Sequence, residues 1–202
     1  MNLTNVNYTI KEINQIIIIN LLKMLERRRV ISNIEPIYES LKEEITPNKS
    51  ITIKLDNGNN CLVYIVNGKV TSITQNSPID EFLSNNTNLQ KFVIITEPSK
   101  KTFKQVMENY PNSESFFQRE FMEDIAGKDI CSEHNLLNSE EKDELLQNIN
   151  INNFSKIYST DVMSRYYNAK VGDIFRVHRL NITSGKGVDY RLVTHGSLDI
   201  LF

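Results

Sequence analysis

STDVMSRYYNAKVGDIFRVHRLNITSGKGVDYRLV, residues 159–193, is the stretch on which the fold of the C-terminal part turns. It opens as a capped helix from Ser159 to Tyr167, with Asp161 in the first turn. There a carboxylate meets orphan N–H groups and the positive end of the helix dipole. Ile174 to Leu180 then alternates apolar and polar, and so does Val188 to Val193. That period of two predicts strands with one buried face. Ser184-Gly185-Lys186-Gly187 is read as the turn between them. The stretch has a surplus of cations, with Arg165-Tyr166-Tyr167, Arg176, Arg179 and Arg191. Arg and Tyr are the residues enriched where proteins dock.

Working back from this stretch, Asn148 to Asn153 is polar and reads as a loop. Asn138-Ser139-Glu140-Glu141 caps a helix running to about Gln147. Gly127-Lys128-Asp129 marks a boundary, so two domains are expected, 1–128 and 129–202. In the first, Thr9-Ile10-Lys11-Glu12 has capping-box form, and Ile10, Ile13, Ile17, Leu21 and Met24 recur at helical spacing up to Arg29. Pro36 suits the start of a second helix carrying Ile37, Leu41 and Ile45. Ile51, Ile53 and Leu55 alternate before an Asp56-Asn57-Gly58 turn. Leu62 to Val66 and Lys69 to Thr74 read as strands joined by a type I′ turn at Asn67-Gly68. Phe92 to Thr96 is apolar enough for an interior strand, Thr102 to Glu108 reads as helix, and Phe116 to Ile125 as strand or helix. The expected class is α+β: an N-terminal α/β domain with helices on a small mixed sheet, then a small C-terminal α+β domain. Thr194 to Phe202 shows no pattern.

Composition limits the function. A chain of 202 residues with net charge −2 and pI near 6.0 does not grip nucleic acid by itself, since that needs many phosphate-neutralising cations. Cys61 and Cys131 lie seventy positions apart with no second ligand at metal spacing, which predicts reduced thiols and no metal. The longest apolar run, Ile16 to Leu22, is far shorter than the about 20 residues of a membrane span, so an intracellular protein without a membrane partner is expected. The frequent Asn, Ile and Lys reflect an AT-rich genome.

No catalytic constellation emerges. Glu140-Glu141-Lys142 spells the E-x-K element of metal-dependent nucleases, but it falls in the first turn of a capped helix, where Glu is favoured anyway. His134, His178 and His195 are dispersed, without a nucleophile and orienting carboxylate around them. Gly185-Lys186-Gly187 precedes a strand, whereas a phosphate cradle opens a helix. Lys100, Lys101 and Lys104 sit at a helix N-terminus, against the dipole. They form either a solvated face or a contact for a polyanion.

Residues 161–193 resemble the C-terminal domain of the fifth subunit shared by eukaryotic RNA polymerases I, II and III, and the archaeal counterpart of that subunit. The family reads D-P-V-x-R-Y-[YF]-G-x-K-x-G-[QD], then R-x-S-x-T-A-G, then Y-R-x-V. Here Asp161, Arg165, Tyr166, Tyr167, Lys170, Gly172, Asp173, Arg179, Thr183, Gly185, Tyr190, Arg191 and Val193 fall on it without a gap. Val162 stands for the family's Pro and Asn168 for its Gly, and Asn tolerates a left-handed backbone. Upstream, Ser132-Glu133-His134, Glu140-Glu141 and Leu145-Leu146 resemble the family's P-x-H, E-E and L-L elements, so the likeness spans 132–193. The N-terminal part resembles the family's extra eukaryotic-type domain more loosely.

The resemblance implies a non-catalytic polymerase subunit without cofactor. Its C-terminal domain would dock on the largest subunit, with Arg165, Tyr166, Lys170, Gly172, Arg179, Tyr190 and Arg191 as candidate partner-binding residues. Its N-terminal domain would form part of the lower jaw. There Pro98, Ser99, Lys100, Lys101 and Lys104 would lie near downstream double-stranded DNA. The expected setting is the nucleus, or a viral factory or virion. A large DNA virus is the first expectation for the source and an AT-rich protist the second. Two alternatives stay open: a divergent nuclease-like protein and a free-standing transcription regulator.

Overall fold

The computed structural model describes residues 8–129, 131–181 and 185–202. Two compact units divide the chain, one ending at Glu123 and the other running Asp124–Phe202. Each is a mixture of helices with one small four-stranded sheet, the expected α+β class.

In the first unit, helix α1 (Ile10–Arg27) starts with the capping box read from sequence. Glu12 N–H donates to Thr9 Oγ1 at 3.3 Å, and Thr9 N–H donates to Glu12 Oε2 at 2.6 Å. Helix α2 (Ile34–Leu41) is capped by Asn33, so Pro36 lies in its first turn rather than at its start. Strands β1 (Ser50–Lys54) and β2 (Asn60–Val70) form an antiparallel hairpin around Gly58, whose φ of +82° suits glycine. Helix α3 (Pro78–Ser84), strand β3 (Gln90–Pro98), helix α4 (Lys100–Asn109) and strand β4 (Ser113–Phe117) follow. The sheet order is β1-β2-β3-β4, with β2, β3 and β4 parallel. Phe92 to Ile95 of β3 are fully buried, as an interior parallel strand with both faces covered requires. Val93 and Ile95 pack with Leu83 of α3 and Val106 of α4 on one face. On the other, Phe92 meets Phe116, and Phe116 meets Phe121 edge-on. Phe121 ends a 3₁₀ turn whose carbonyl accepts from Asn20 Nδ2 of α1.

The Asn67-Gly68 hairpin is corrected. Neither residue has positive φ, and β2 runs straight through them. The parallel partner continues alongside, with Val66 beside Ile95 and Lys69 beside Glu97, and a bulge absorbs the pair between them. A type I′ turn would leave that edge of β3 unpaired. Residues 71–74 are therefore not a returning strand, and the Gln105 side chain takes both backbone groups of Ile73, at 2.9 and 3.2 Å. Phe116 to Ile125 is strand only to Phe117, after which the chain turns through two 3₁₀ segments.

The second unit contains β5 (Glu133–Leu136), α5 (Ser139–Asn148), β6 (Ser155–Tyr158), α6 (Val162–Tyr166), β7 (Ile174–Asn181) and β8 (Gly185–Thr194). The sheet order is β5-β7-β8-β6, antiparallel except for β6 with β8. One face carries Ile174, Tyr190 and Leu192, and packs with Leu137, Phe154 and Leu145-Leu146 of α5. The other carries Phe175, Val177, Val193 and Ile157 beneath Met163 of α6, Ala169, Tyr167, Ile125 and Ala126. Strand β8 begins at Gly185, so Gly185-Lys186-Gly187 is strand and not turn. Ser184, like Thr183 of the family motif, lies outside the described residues.

Candidate partner-binding site

Helix α6 is short because its start and stop are both fixed locally. Asp161 is its N-cap, with Oδ1 accepting from Met163 N–H at 2.8 Å, so the helix starts at Val162 rather than at Ser159 and Asp161 caps it instead of lying within its first turn. Past Tyr167 the chain reverses through Asn168, at φ +53°, and Gly172, at φ +95°. Asn168 thus takes the left-handed conformation expected where the family has Gly. Gly172 N–H donates to Val193 O at 2.9 Å, which ties this turn to the end of β8.

The proposed contact residues separate by environment. Tyr166 is buried, 4% exposed, with its ring edge-on to Tyr167 at 5.3 Å, and Tyr167 in turn meets Phe175 at 5.8 Å. Tyr166 and Gly172 therefore shape the unit from within. Lys170 is exposed, with Nζ 2.6 Å from Asn168 Oδ1 and its N–H on Asp173 Oδ2 at 2.7 Å. Arg165 Nε donates to Thr160 O at 3.2 Å. Tyr190 lies on the opposite face against Phe154, with ring centroids 5.9 Å apart. Its hydroxyl accepts from Arg176 and, with Glu141, raises the already high pKa of that guanidinium. Arg179 and Arg191 come together on the α6 face, where Asp189 Oδ2 lies 3.2 Å from Arg179 Nη2 and 3.7 Å from Arg191 Nε. The sequence reading missed Asp189, although positions 189 and 191 fall on one face of an alternating strand.

His134 is buried on β5, edge-on to Phe175 at 5.7 Å, with Nδ1 2.6 Å from Ser132 O. Burial lowers its pKa, and the Arg191 charge adds in the same direction. Glu141 completes the capping box with Asn138 and also meets Arg176 Nη1 at 3.3 Å, so the E-x-K triplet is a helix start. Cys61 is buried in β2, which pushes its thiol up to about 12. At that value it is no nucleophile at neutral pH. Among the described residues no three His, Cys, Asp or Glu side chains gather to hold a metal. Among the same residues no helix is long and apolar enough to cross a membrane.

In the first unit Pro98 is the buried last residue of β3, and Ser99 is the N-cap of α4. Ser99 Oγ accepts from Thr102 N–H at 3.1 Å and donates to Thr71 O at 2.6 Å. Both residues set the loop rather than face outward. Lys100, Lys101 and Lys104 are exposed on α4, with Lys104 Nζ 3.7 Å from Glu108.

Residues 124–193 match the family described as RNA polymerase Rpb5, C-terminal domain. Along nearly the whole chain, the sequence is similar to DNA-directed RNA polymerase subunit 5 of Acanthamoeba polyphaga mimivirus. They are 29% identical over 188 residues, covering 89% of this chain and 91% of the viral one. DNA-directed RNA polymerase subunit Rpo5 of Methanosphaera stadtmanae is 36% identical over 72 residues, 35% of this chain but 94% of the archaeal one. The subunit RPABC1 of RNA polymerases I, II and III from Caenorhabditis briggsae is 30% identical over 82 residues, 40% of this chain and 39% of that one. The turn at Asn168 and Gly172, the paired β7 and β8 and these matches agree, and the chain belongs to the Rpb5 family of DNA-directed RNA polymerase subunits.

Proposed function

We propose that the chain is a structural subunit with no active site of its own, and that residues 124–202 dock it on the largest subunit of the polymerase. The observation that carries this is the coincidence of the family match, 124–193, with a compact unit that has its own two-faced core. The archaeal relative aligns over 94% of its length to only 72 residues of this chain, so a unit of this size serves as a polymerase subunit by itself. Arg165, Lys170, Arg179 and Arg191 supply the contacts, with Tyr190 contributing from the other face. Tyr166 and Gly172 act through the fold. The N-terminal unit forms part of the lower jaw. There Lys100, Lys101 and Lys104 touch phosphates of downstream duplex DNA without reading sequence. Ser99 and Pro98 fix the start of α4 beneath them. The long viral relative favours a virus-encoded polymerase acting in a viral factory or carried in the virion.

The test is capture of the largest subunit by a chain beginning at Asp124. A start at Ser132 would discard Ile125, Ala126 and Cys131, which pack on the core of this unit. Capture equal to that of the full chain is expected. A folded 124–202 fragment that captures nothing would refute the assignment.

A further inference from the structure

The register of β7 and β8 places Phe175 opposite Arg191, Val177 opposite Asp189 and Arg179 opposite Gly187. Opposite residues share a face, so Arg179, Asp189 and Arg191 project together from the α6 side of the sheet. Toward its centre that face is apolar, with Phe175, Val177 and Val193. Toward the far end of the β7–β8 pair it is guanidinium. Both arginines converge on one carboxylate oxygen, Asp189 Oδ2. A guanidinium carries five N–H donors in a fixed fork, so among the described residues one shared oxygen leaves most of the donors of this pair unused. Arg191 Nε is buried, and at 3.7 Å its carboxylate is beyond hydrogen-bond reach. Gly187, across from Arg179, adds no side chain to obstruct the approach. The Arg179, Asp189 and Arg191 side chains are 44%, 30% and 28% exposed.

Among the described residues, Asp161 and both arginines act on His134 beside this end. Asp161 has one oxygen committed to the cap of α6, and Arg165 donates to Thr160 O. His134 feels both arginines and is held toward its neutral form by burial.

We propose that Arg179 and Arg191 form a docking site for a carboxylate side chain of the protein partner, with Asp189 occupying part of the fork until the partner arrives. This rests on the docking role assigned above to residues 124–202. A planar carboxylate fits a guanidinium fork through two parallel hydrogen bonds. The oxygen already seated between the two guanidiniums is a carboxylate's, Asp189 Oδ2, and a backbone phosphodiester carries no more charge than a carboxylate. That favours an acidic side chain over a nucleic-acid backbone.

The experiment uses the full chain and the recombinant largest subunit, with affinity measured by titration at several salt concentrations. Arg179→Gln and Arg191→Gln are each expected to weaken binding at least tenfold and to flatten its salt dependence. Asp189→Asn removes the internal competitor, and binding should tighten about two- to fivefold, the size of an exposed pair. Thermal melting of all three variants should stay within about 2 °C of the wild type, since an exposed pair contributes little to stability. If all three variants lower melting and binding together, the triplet is a strap between β7 and β8 and the inference is overturned. It is overturned equally if binding is unchanged in the arginine variants while the wild type binds. If duplex DNA, rather than added glutamate-rich peptide, competes the complex apart through these arginines, the site is a phosphate site and the carboxylate assignment fails. Wild-type chain that never binds the largest subunit would sink the docking role itself, and this inference with it.

Discussion

Arg28 and Glu114 form an ion pair inside the first unit that no local pattern announces, and its removal is the most quantitative test of that unit's packing. Arg28 Nη1 and Nη2 donate to Glu114 Oε1 and Oε2 at 2.9 and 2.7 Å, a bidentate fork. The side chains are only 7% and 17% exposed. Gln90 Nε2 adds a bond to the same carboxylate at 2.7 Å, and the guanidinium lies 5.7 Å from the Phe92 ring centroid. Arg28→Met keeps the apolar stem and leaves a carboxylate buried with an amide in place of its counter-ion. Two unit charges about 4 Å apart at an effective dielectric of about 20 interact by about 4 kcal/mol. Breaking one partner of a buried pair costs about 3–5 kcal/mol. With a urea m-value of about 2 kcal/mol/M, the transition of the first unit should move down by about 2 M. Arg28→Met/Glu114→Leu should recover most of this, because the pair as a whole is worth little against apolar replacements. The chain has no Trp, so far-UV circular dichroism follows the transition. A loss below about 1 kcal/mol for Arg28→Met, or a double variant no better than the single, would refute the account of a buried, mutually dependent pair.

Three further outcomes are expected. A Cβ on Gly196 would lie 2.3 Å from Thr160 Oγ1 and 2.8 Å from Tyr158 Cβ, so Gly196→Ala should destabilise the second unit by about 1–3 kcal/mol. Thermal melting would check this, with part of the loss recovered in Gly196→Ala/Thr160→Ala. His134 has a folded pKa below its ordinary 6.5, so the unfolded chain binds its proton first. Its contribution is therefore fully present above pH 6.5 and is lost as pH falls from there through the lowered folded value. Urea midpoints between pH 5 and 8 should show this slope in the wild type, and a weaker one in His134→Gln. Lys100→Glu/Lys101→Glu/Lys104→Glu should assemble normally, yet its polymerase should hold downstream duplex less firmly. The salt slope of retention should be shallower by up to about 0.9 per lost phosphate contact. Crosslinkers at Lys101 that never reach DNA would mark these lysines as a solvated face.

Local chemistry made part of this fold legible. The boxes at Thr9 and Asn138, the Gly58 turn, the buried run in β3, and the alternation of β7 and β8 each depend on residues close in sequence. What escaped depends on partners far away. Strand β6, Ser-Lys-Ile-Tyr, buries only Ile157, and its identity comes from the parallel ladder with β8. Asn67-Gly68 has the composition of a hairpin, but β3 offers a continuing edge that keeps β2 extended. Arg28 and Glu114 are 86 positions apart, and Gly196 is required by a side chain 36 positions earlier. At the candidate site, the cationic surplus was visible in sequence. The sorting of Tyr166 into the core follows from how α6 packs in its unit, and the shared use of Asp189 by two arginines from strand register.

Membership of a working polymerase is tested most directly by isolating the enzyme from its native source through a tag on this chain, and weighing the intact assembly by native mass spectrometry. One copy of this chain per largest subunit is expected, retained through a wash at about 0.5 M salt, where surface ion pairs are strongly screened. A chain recovered alone, or bound to the polymerase in only a small fraction of molecules, would contradict it.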